Sequence, residues 1–172
     1  MVDIILSLKT HARVFHRKVQ AGDVDALARI RAIDEFKSLD DETISSSVKR
    51  RHCLAAIAGE IGFSGWSHTL QVLQGKDVND FGTLLYPGRC SAHLNIWCAS
   101  HDEARRVRDA RDGFLLGWRS QYIVVDDDYI RTLGLDPADP DWRRIGRDWV
   151  RPGDPLARRN LYGKLVREAL NY

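Results

Sequence analysis

A chain of 172 residues, 44% hydrophobic and 29% charged, has room for one globular domain or two small ones around a buried core. A formal net charge of +2 is too small to advertise a polyanion partner by itself. No apolar run reaches the length of a membrane span, and Val2-Asp3-Ile4-Ile5-Leu6 offers neither a basic n-region nor a small-residue cleavage site, so neither a membrane partner nor a signal peptide is expected.

Residues 2–20 predict a helix, because Ile5, Leu8, Ala12, Phe15 and Val19 step by three and four along one stripe. Asp23 is placed to cap a second helix running to about Phe36 and presenting Leu27, Ile30, Ile33 and Phe36. Lys37 to Ser47 reads as a polar connection with room for a short helical turn. A third helix is predicted over 47–61, with Leu54, Ile57, Ala58 and Ile61 on its apolar face. Gly62 is the expected left-handed residue after it. Ser64 is then placed to cap a fourth helix carrying Trp66, Leu70 and Leu73, closed by Gly75.

Beyond Gly75 the pattern changes. His93 to Cys98 alternates, with Leu94, Ile96 and Cys98 on one face and His93, Asn95 and Trp97 on the other, which predicts a strand. Ser100-His101-Asp102-Glu103 is a capping box opening a helix to about Asp112, stopped by Gly113. Phe114 to Leu116 and Tyr122 to Val125 read as strands, giving a strand–helix–strand unit. Asp136-Pro137, Asp139-Pro140 and Asp154-Pro155 are helix-start signals, and helices are expected near 127–133, 139–145 and 154–170. The fold class is therefore α+β, mainly α: a helical module over 1–78, then a small sheet with helices over 79–172, expected to pack together.

Ala21-Gly22-Asp23-Val24-Asp25-Ala26-Leu27-Ala28-Arg29 and, further on, Ala58-Gly59-Glu60-Ile61-Gly62-Phe63-Ser64-Gly65-Trp66 resemble a short helical module. That module stands ahead of the repeats in some bacterial ankyrin-repeat proteins, and a similar Gly-Phe-x-x-Trp turn opens some bacterial glyoxalase-like proteins. Here Ser67 replaces the usual proline and no ankyrin signature follows. The resemblance implies a small helical unit attached to another domain and carries over no activity. Ile57 to Ser64, with Ser67-His68, is also similar to the second helix-turn-helix of AraC-type regulators, although Thr69 stands where that family has an aromatic residue. That similarity implies base contacts from Ser67, His68, Gln71 and Gln74.

Several side chains are candidates for chemistry or contact. His93, Asn95 and Trp97 on one strand face, completed by Arg119 and Gln121 on the next, combine stacking with hydrogen bonding and form the candidate ligand or partner surface. The structural alternative is that Trp97 packs under a helix while His93 reaches only the edge. Lys49, Arg50 and Arg51, with His68 and Gln71, form the candidate nucleic-acid contact; the structural alternative is a solvated basic face paired with Asp40, Asp41 and Glu42. A metal site from His93, Cys98, His101 and Asp102 is disfavoured because alternation sends His93 and Cys98 to opposite faces. Capping accounts for Asp102, Glu103 and Asp126-Asp127-Asp128 without acid–base or calcium chemistry. The segment Asp139 to Trp149, dense in Trp, Arg and Asp, suits either an interface or a short segment locked onto a core.

Cys53, Cys90 and Cys98 are odd in number and lack a CxxC pair, so they are expected to be buried free thiols in a cytoplasmic protein. No Ser–His–Asp order, phosphate loop or dinucleotide fingerprint is present, and neither a cofactor nor a metal is expected. The leading functional expectation is a non-enzymatic bacterial binding or interaction protein with an unknown protein partner or self-association. A nucleic-acid-binding regulator using residues 54–74, and a small-molecule enzyme with a pocket between the halves, are the alternatives.

Overall fold

The computed structural model describes residues 3–76 and 78–170. It is α+β and mainly α, with 56% of the chain helical and one three-stranded antiparallel sheet among the described residues. The chain divides into two compact units, residues 1–70 and 71–172.

In the first unit, α1 (Ile4–Gln20) packs against α2 (Val24–Ile30), α3 (Asp41–Ser47) and α4 (Arg50–Glu60). The α1 stripe is buried as its spacing predicts, with Leu8, Ala12, Phe15 and Val19 at 0–2% exposure. Asp23 caps α2 through Ala26 N–H at 2.9 Å. The second helix is shorter than expected: it ends at Ile30, and Phe36 is buried instead from a 3-10 turn at Asp34–Phe36. A periodic apolar position can thus be filled without a continuous helix. The polar connection holds a full helix, α3, capped by Asp40 through Thr43 N–H and anchored by fully buried Ile44. Val48 (φ −58°, ψ 138°) separates α3 from α4, so the third predicted helix begins at Arg50 rather than 47. On α4 the buried positions are His52, Cys53, Ala56, Ile57 and Ala58, while Leu54 is half-buried.

The turn after α4 uses Gly62 at φ 89°, a conformation that glycine adopts without a Cβ clash, and Phe63 N–H donates back to Ala58 O at 2.8 Å. Helix α5 (Trp66–Leu73) follows. Its first ladder bond runs from Thr69 N–H to Gly65 O, so Gly65, not Ser64, occupies the cap position; Ser64 instead faces His68. The buried side of α5 is Thr69, Val72 and Leu73, with Trp66 and Leu70 half-buried, and Ser67, Gln71 and Gln74 are exposed.

In the second unit the sheet order is β1 (Ile96–Cys98), β3 (Gln121–Val125), β2 (Phe114–Trp118), with both pairings antiparallel. The first strand is only three residues long, so His93 and Asn95 precede it. Helix α6 (His101–Arg111) leads from β1 to β2 and covers one sheet face, where Ala104 packs with Cys98, Leu115 and Val124. Ser100 caps α6 as expected, but the left-handed residue at its end is Asp112 (φ 52°) rather than Gly113. The helices α7 (Asp127–Leu133), α8 (Pro140–Arg144) and α9 (Pro155–Ala169) begin at the aspartates Asp126, Asp139 and Asp154, each of which accepts from its helix's first turn.

The outer edge of β2 is occupied. Leu115 N–H donates to Arg147 O and Leu115 O accepts from Trp149 N–H, both at 2.9 Å. Residues 147–149 therefore run alongside the sheet as an isolated parallel bridge, which holds Asp148 in place. Trp142 and Trp149, each 1% exposed, with Phe114 and Tyr162, lock this segment onto the core through edge-on and tilted ring contacts of 4.8–5.3 Å. The Asp139–Trp149 tryptophans are thus core residues.

Candidate functional site

On the sheet face opposite α6, Trp97 lies across from Ile123, and Ile123 from Leu116, while Trp118 pairs with Gln121. Trp97 and Trp118 meet edge-on at 5.5 Å between ring centroids, and Tyr86 contacts both, at 5.3 Å and 6.1 Å. Arg119 occupies the two-residue hairpin turn at φ 48° and lays its guanidinium over Trp118 at 4.8 Å. Trp97 remains 41% exposed, and Arg119 and Gln121 are exposed beside it. The structure therefore brings Trp97, Arg119 and Gln121 to one aromatic face. His93 is drawn away from it: its Nε2 lies 3.0 Å from Thr132 Oγ1 and its ring meets buried Tyr129 edge-on. Asn95 is half-buried, and its Nδ2 meets no acceptor among the described residues. Tyr86 and Trp118 complete the face; their aromatic type was the only sign of them in the sequence.

The nucleic-acid candidates are distributed along α4 and α5. Lys49 caps α4, and its backbone N–H donates to His52 Nδ1 at 3.0 Å. Lys49, Arg50 and Arg51 are exposed at the start of α4, about 16 Å of helix from the turn. None of the three pairs with Asp40, Asp41 or Glu42 among the described residues; Asp41 pairs with Arg31 and Asp40 caps α3. His68 belongs to the turn itself, since Ser64 N–H donates to its Nδ1 at 3.2 Å and Phe63 meets its ring edge-on. Gln71 is exposed.

A further constellation assembles from two distant segments. His101, Arg105 and Arg108 step by four and three along one side of α6, and Arg143, Arg144 and Arg151 come from the end of α8 and the loop after it. Together with Asp148 they line a cavity of about 420 Å³. His101 and Asp148 are 6% and 5% exposed, and His101 Nε2 donates to Asp148 Oδ2 at 2.7 Å. A carboxylate can only accept, so the proton in this bond belongs to the ring. Asp148 Oδ1 accepts from Val150 and Arg151 N–H at 3.0 and 2.8 Å, and Arg108 Nη1 approaches Oδ2 at 3.4 Å. The ring's other nitrogen, Nδ1, meets no hydrogen-bond partner among the described residues. The signal available in the sequence was the four-then-three spacing of His101, Arg105 and Arg108.

The remaining acidic and thiol groups have structural positions. Asp126 caps α7 through Tyr129 N–H, and Asp127 and Asp128 pair with Arg131. Glu103 accepts from Ala99 N–H at 3.1 Å. The three cysteines are free and buried, and burial pushes each thiol up, Cys53 to about 11. Among the described residues no cluster of His, Cys, Asp or Glu is placed to hold a metal, and no helix is long and apolar enough to cross a membrane. No protein-family model, curated protein or solved structure matches this chain.

Proposed function

We propose that this protein acts by binding a protein partner, through the aromatic sheet face centred on Trp97. The observation that carries this reading is an indole 41% exposed yet held edge-on by two neighbouring rings. A large side chain already fixed in place loses little conformational freedom on association, and Trp with Arg is the usual composition of an interface centre. We place the protein in the bacterial cytoplasm, a reading supported by its three free thiols and by the resemblance of residues 21–73 to a bacterial helical module.

Sedimentation velocity of the purified chain tests self-association, and capture from a bacterial lysate followed by reconstitution with the purified partner tests a heterologous complex. Trp97→Ala is expected to weaken the complex by about 2 kcal/mol or more while the far-UV circular dichroism is unchanged. A complex that Trp97→Ala leaves intact sinks the reading. So does a monomer for which no partner can be reconstituted.

A second reading, a nucleic-acid-binding regulator, is supported by the exposed polar stripe Ser67, Gln71 and Gln74 on α5. It requires duplex binding with a steep salt dependence, weakened by both Arg50→Glu and Gln71→Ala.

A further inference from the structure

We infer that the arginine-lined cavity around His101 and Asp148 is a binding site for a phosphate-bearing small anion, of the size of a diphosphate group. The cavity is lined by five arginines, Arg105, Arg108, Arg143, Arg144 and Arg151, and by one acidic residue, Asp148. Converging like charges repel, so such an arrangement is tolerated where each cation has a counter-charge or where an anion completes the set. Two of the arginines are already fixed by partners. Arg108, with its side chain 14% exposed, is held by Asp109 at 2.7 Å and Asp148 at 3.4 Å, and Arg144 by Asp141 at 3.0 Å and Asp154 at 2.6 Å. The other three are not. Arg143 and Arg151 are exposed with no side-chain ion pair among the described residues, and Arg105 reaches only Asp102, at 4.0 Å.

The result is two arginines engaged by carboxylates beside three, Arg105, Arg143 and Arg151, with no ion pair shorter than 4.0 Å among the described residues. Guanidinium forks match the paired oxygens of phosphate, and a diphosphate presents enough charge and acceptors to engage all three. His101 lines the same cavity and donates Nε2–H to Asp148, which keeps that carboxylate engaged within the wall. A cavity of about 420 Å³ has room for a compact anion, whereas a duplex backbone requires a cationic track along the surface. This site is separate from the Trp97 face and does not depend on it.

Calorimetric titration of the intact protein with inorganic pyrophosphate at low salt tests the site. One saturable event is expected, with a dissociation constant below about 1 mM. Arg143→Ala/Arg151→Ala, at exposed positions, is expected to weaken it about tenfold or more with unchanged circular dichroism. Arg13→Ala/Arg17→Ala on α1 serves as the charge-matched control and is expected to bind as the wild type does. Titration with a nucleoside diphosphate separates the two sources of the group: tighter binding than pyrophosphate assigns a nucleotide, and equal binding assigns the diphosphate alone. The proposal is overturned if pyrophosphate gives no saturable heat, or if the two double variants lose affinity equally. It is also overturned if only oligonucleotides bind, with affinity growing with their length.

Discussion

His101 and Asp148 lie 47 residues apart in the chain and meet at 2.7 Å, both almost fully buried. The contact is set by sheet geometry. Residues 147–149 pair with the free edge of β2, and that pairing carries Asp148 to the first turn of α6. The carboxylate then serves four donors: His101 Nε2, Arg108 Nη1, and the N–H groups of Val150 and Arg151.

Removing that carboxylate leaves all four donors without their acceptor in a buried place. Asp148→Ala is therefore expected to cost about 3–5 kcal/mol in urea unfolding. Asp148→Asn is expected to cost less, about 1–2 kcal/mol. Its Oδ1 can keep the turn, and the amide can still offer the imidazole a hydrogen-bonding group in place of Oδ2. Equal losses from the two variants would show that the acceptor geometry at Oδ1 contributes nothing.

A pH dependence follows from His52, which is 6% exposed. Burial holds its pKa below the ordinary imidazole value, opposed by Glu35 and reinforced by Arg51 and Lys49. Nδ1 accepts from Lys49 N–H and Arg51 Nε donates towards Nε2, and a doubly protonated ring can accept at neither nitrogen. His11 is lowered for the same first cause, burial. The unfolded chain thus takes up protons near pH 6.5, where the folded chain does not. Stability is complete above about pH 6.5 and falls as the pH drops from there towards the folded pKa values. Urea midpoints are expected to be lower at about pH 5.5 than at about pH 7.5. His52→Asn is expected to flatten that slope in part, with His11 supplying the remainder. A midpoint that rises on acidification contradicts this.

Two glycines are expected to respond in opposite directions to a methyl group. Gly59 lies within α4 with nothing within 4 Å of an added Cβ, so Gly59→Ala is expected to stabilise by up to about 1 kcal/mol through the entropy of the unfolded chain. At Gly113 the same atom would stand 2.8 Å from Val125 O and 3.1 Å from Val124 Cγ1. The backbone oxygen of β3 cannot rotate away, so Gly113→Ala is expected to lower the thermal midpoint. A thermal midpoint raised by both variants would refute the close-approach account of Gly113.

The parts of this fold that were legible in the sequence are those whose cause is local. Asp23, Ser100, Asp126, Asp139 and Asp154 each cap the helix that begins beside them, and those helix starts are where the spacing puts them. The second helix stops short of Phe36, which keeps helical phase with Ile33 while being buried from a separate 3-10 turn. The strand order was not legible: β3 inserts between β1 and β2 through pairing that periodicity does not encode. The candidate sites divide in the same way. Trp97, Arg119 and Gln121 were visible from strand alternation and the adjacent hairpin, whereas the pocket of His101, Arg108 and Arg143 depends on the Leu115–Asp148 bridge. His93 left the predicted face because β1 begins only at Ile96, so alternation does not govern its direction.

The three thiols should be chemically silent in the folded protein. Cys53 and Cys90 are fully buried and Cys98 is 3% exposed. Burial raises all three pKa values, Cys53 to about 11, so little thiolate exists at neutral pH and reagents cannot reach it. Labelling with Ellman's reagent is therefore expected to be limited by opening of the structure rather than by reagent concentration. Cys98 is expected to react first, because it sits on a three-residue edge strand, while Cys53 lies inside an eleven-residue helix of the first unit. Full denaturation is expected to release three thiols per chain. A thiol that labels in the native protein at the rate of a free cysteine would contradict the burial, and mass mapping of the labelled peptide would identify which one.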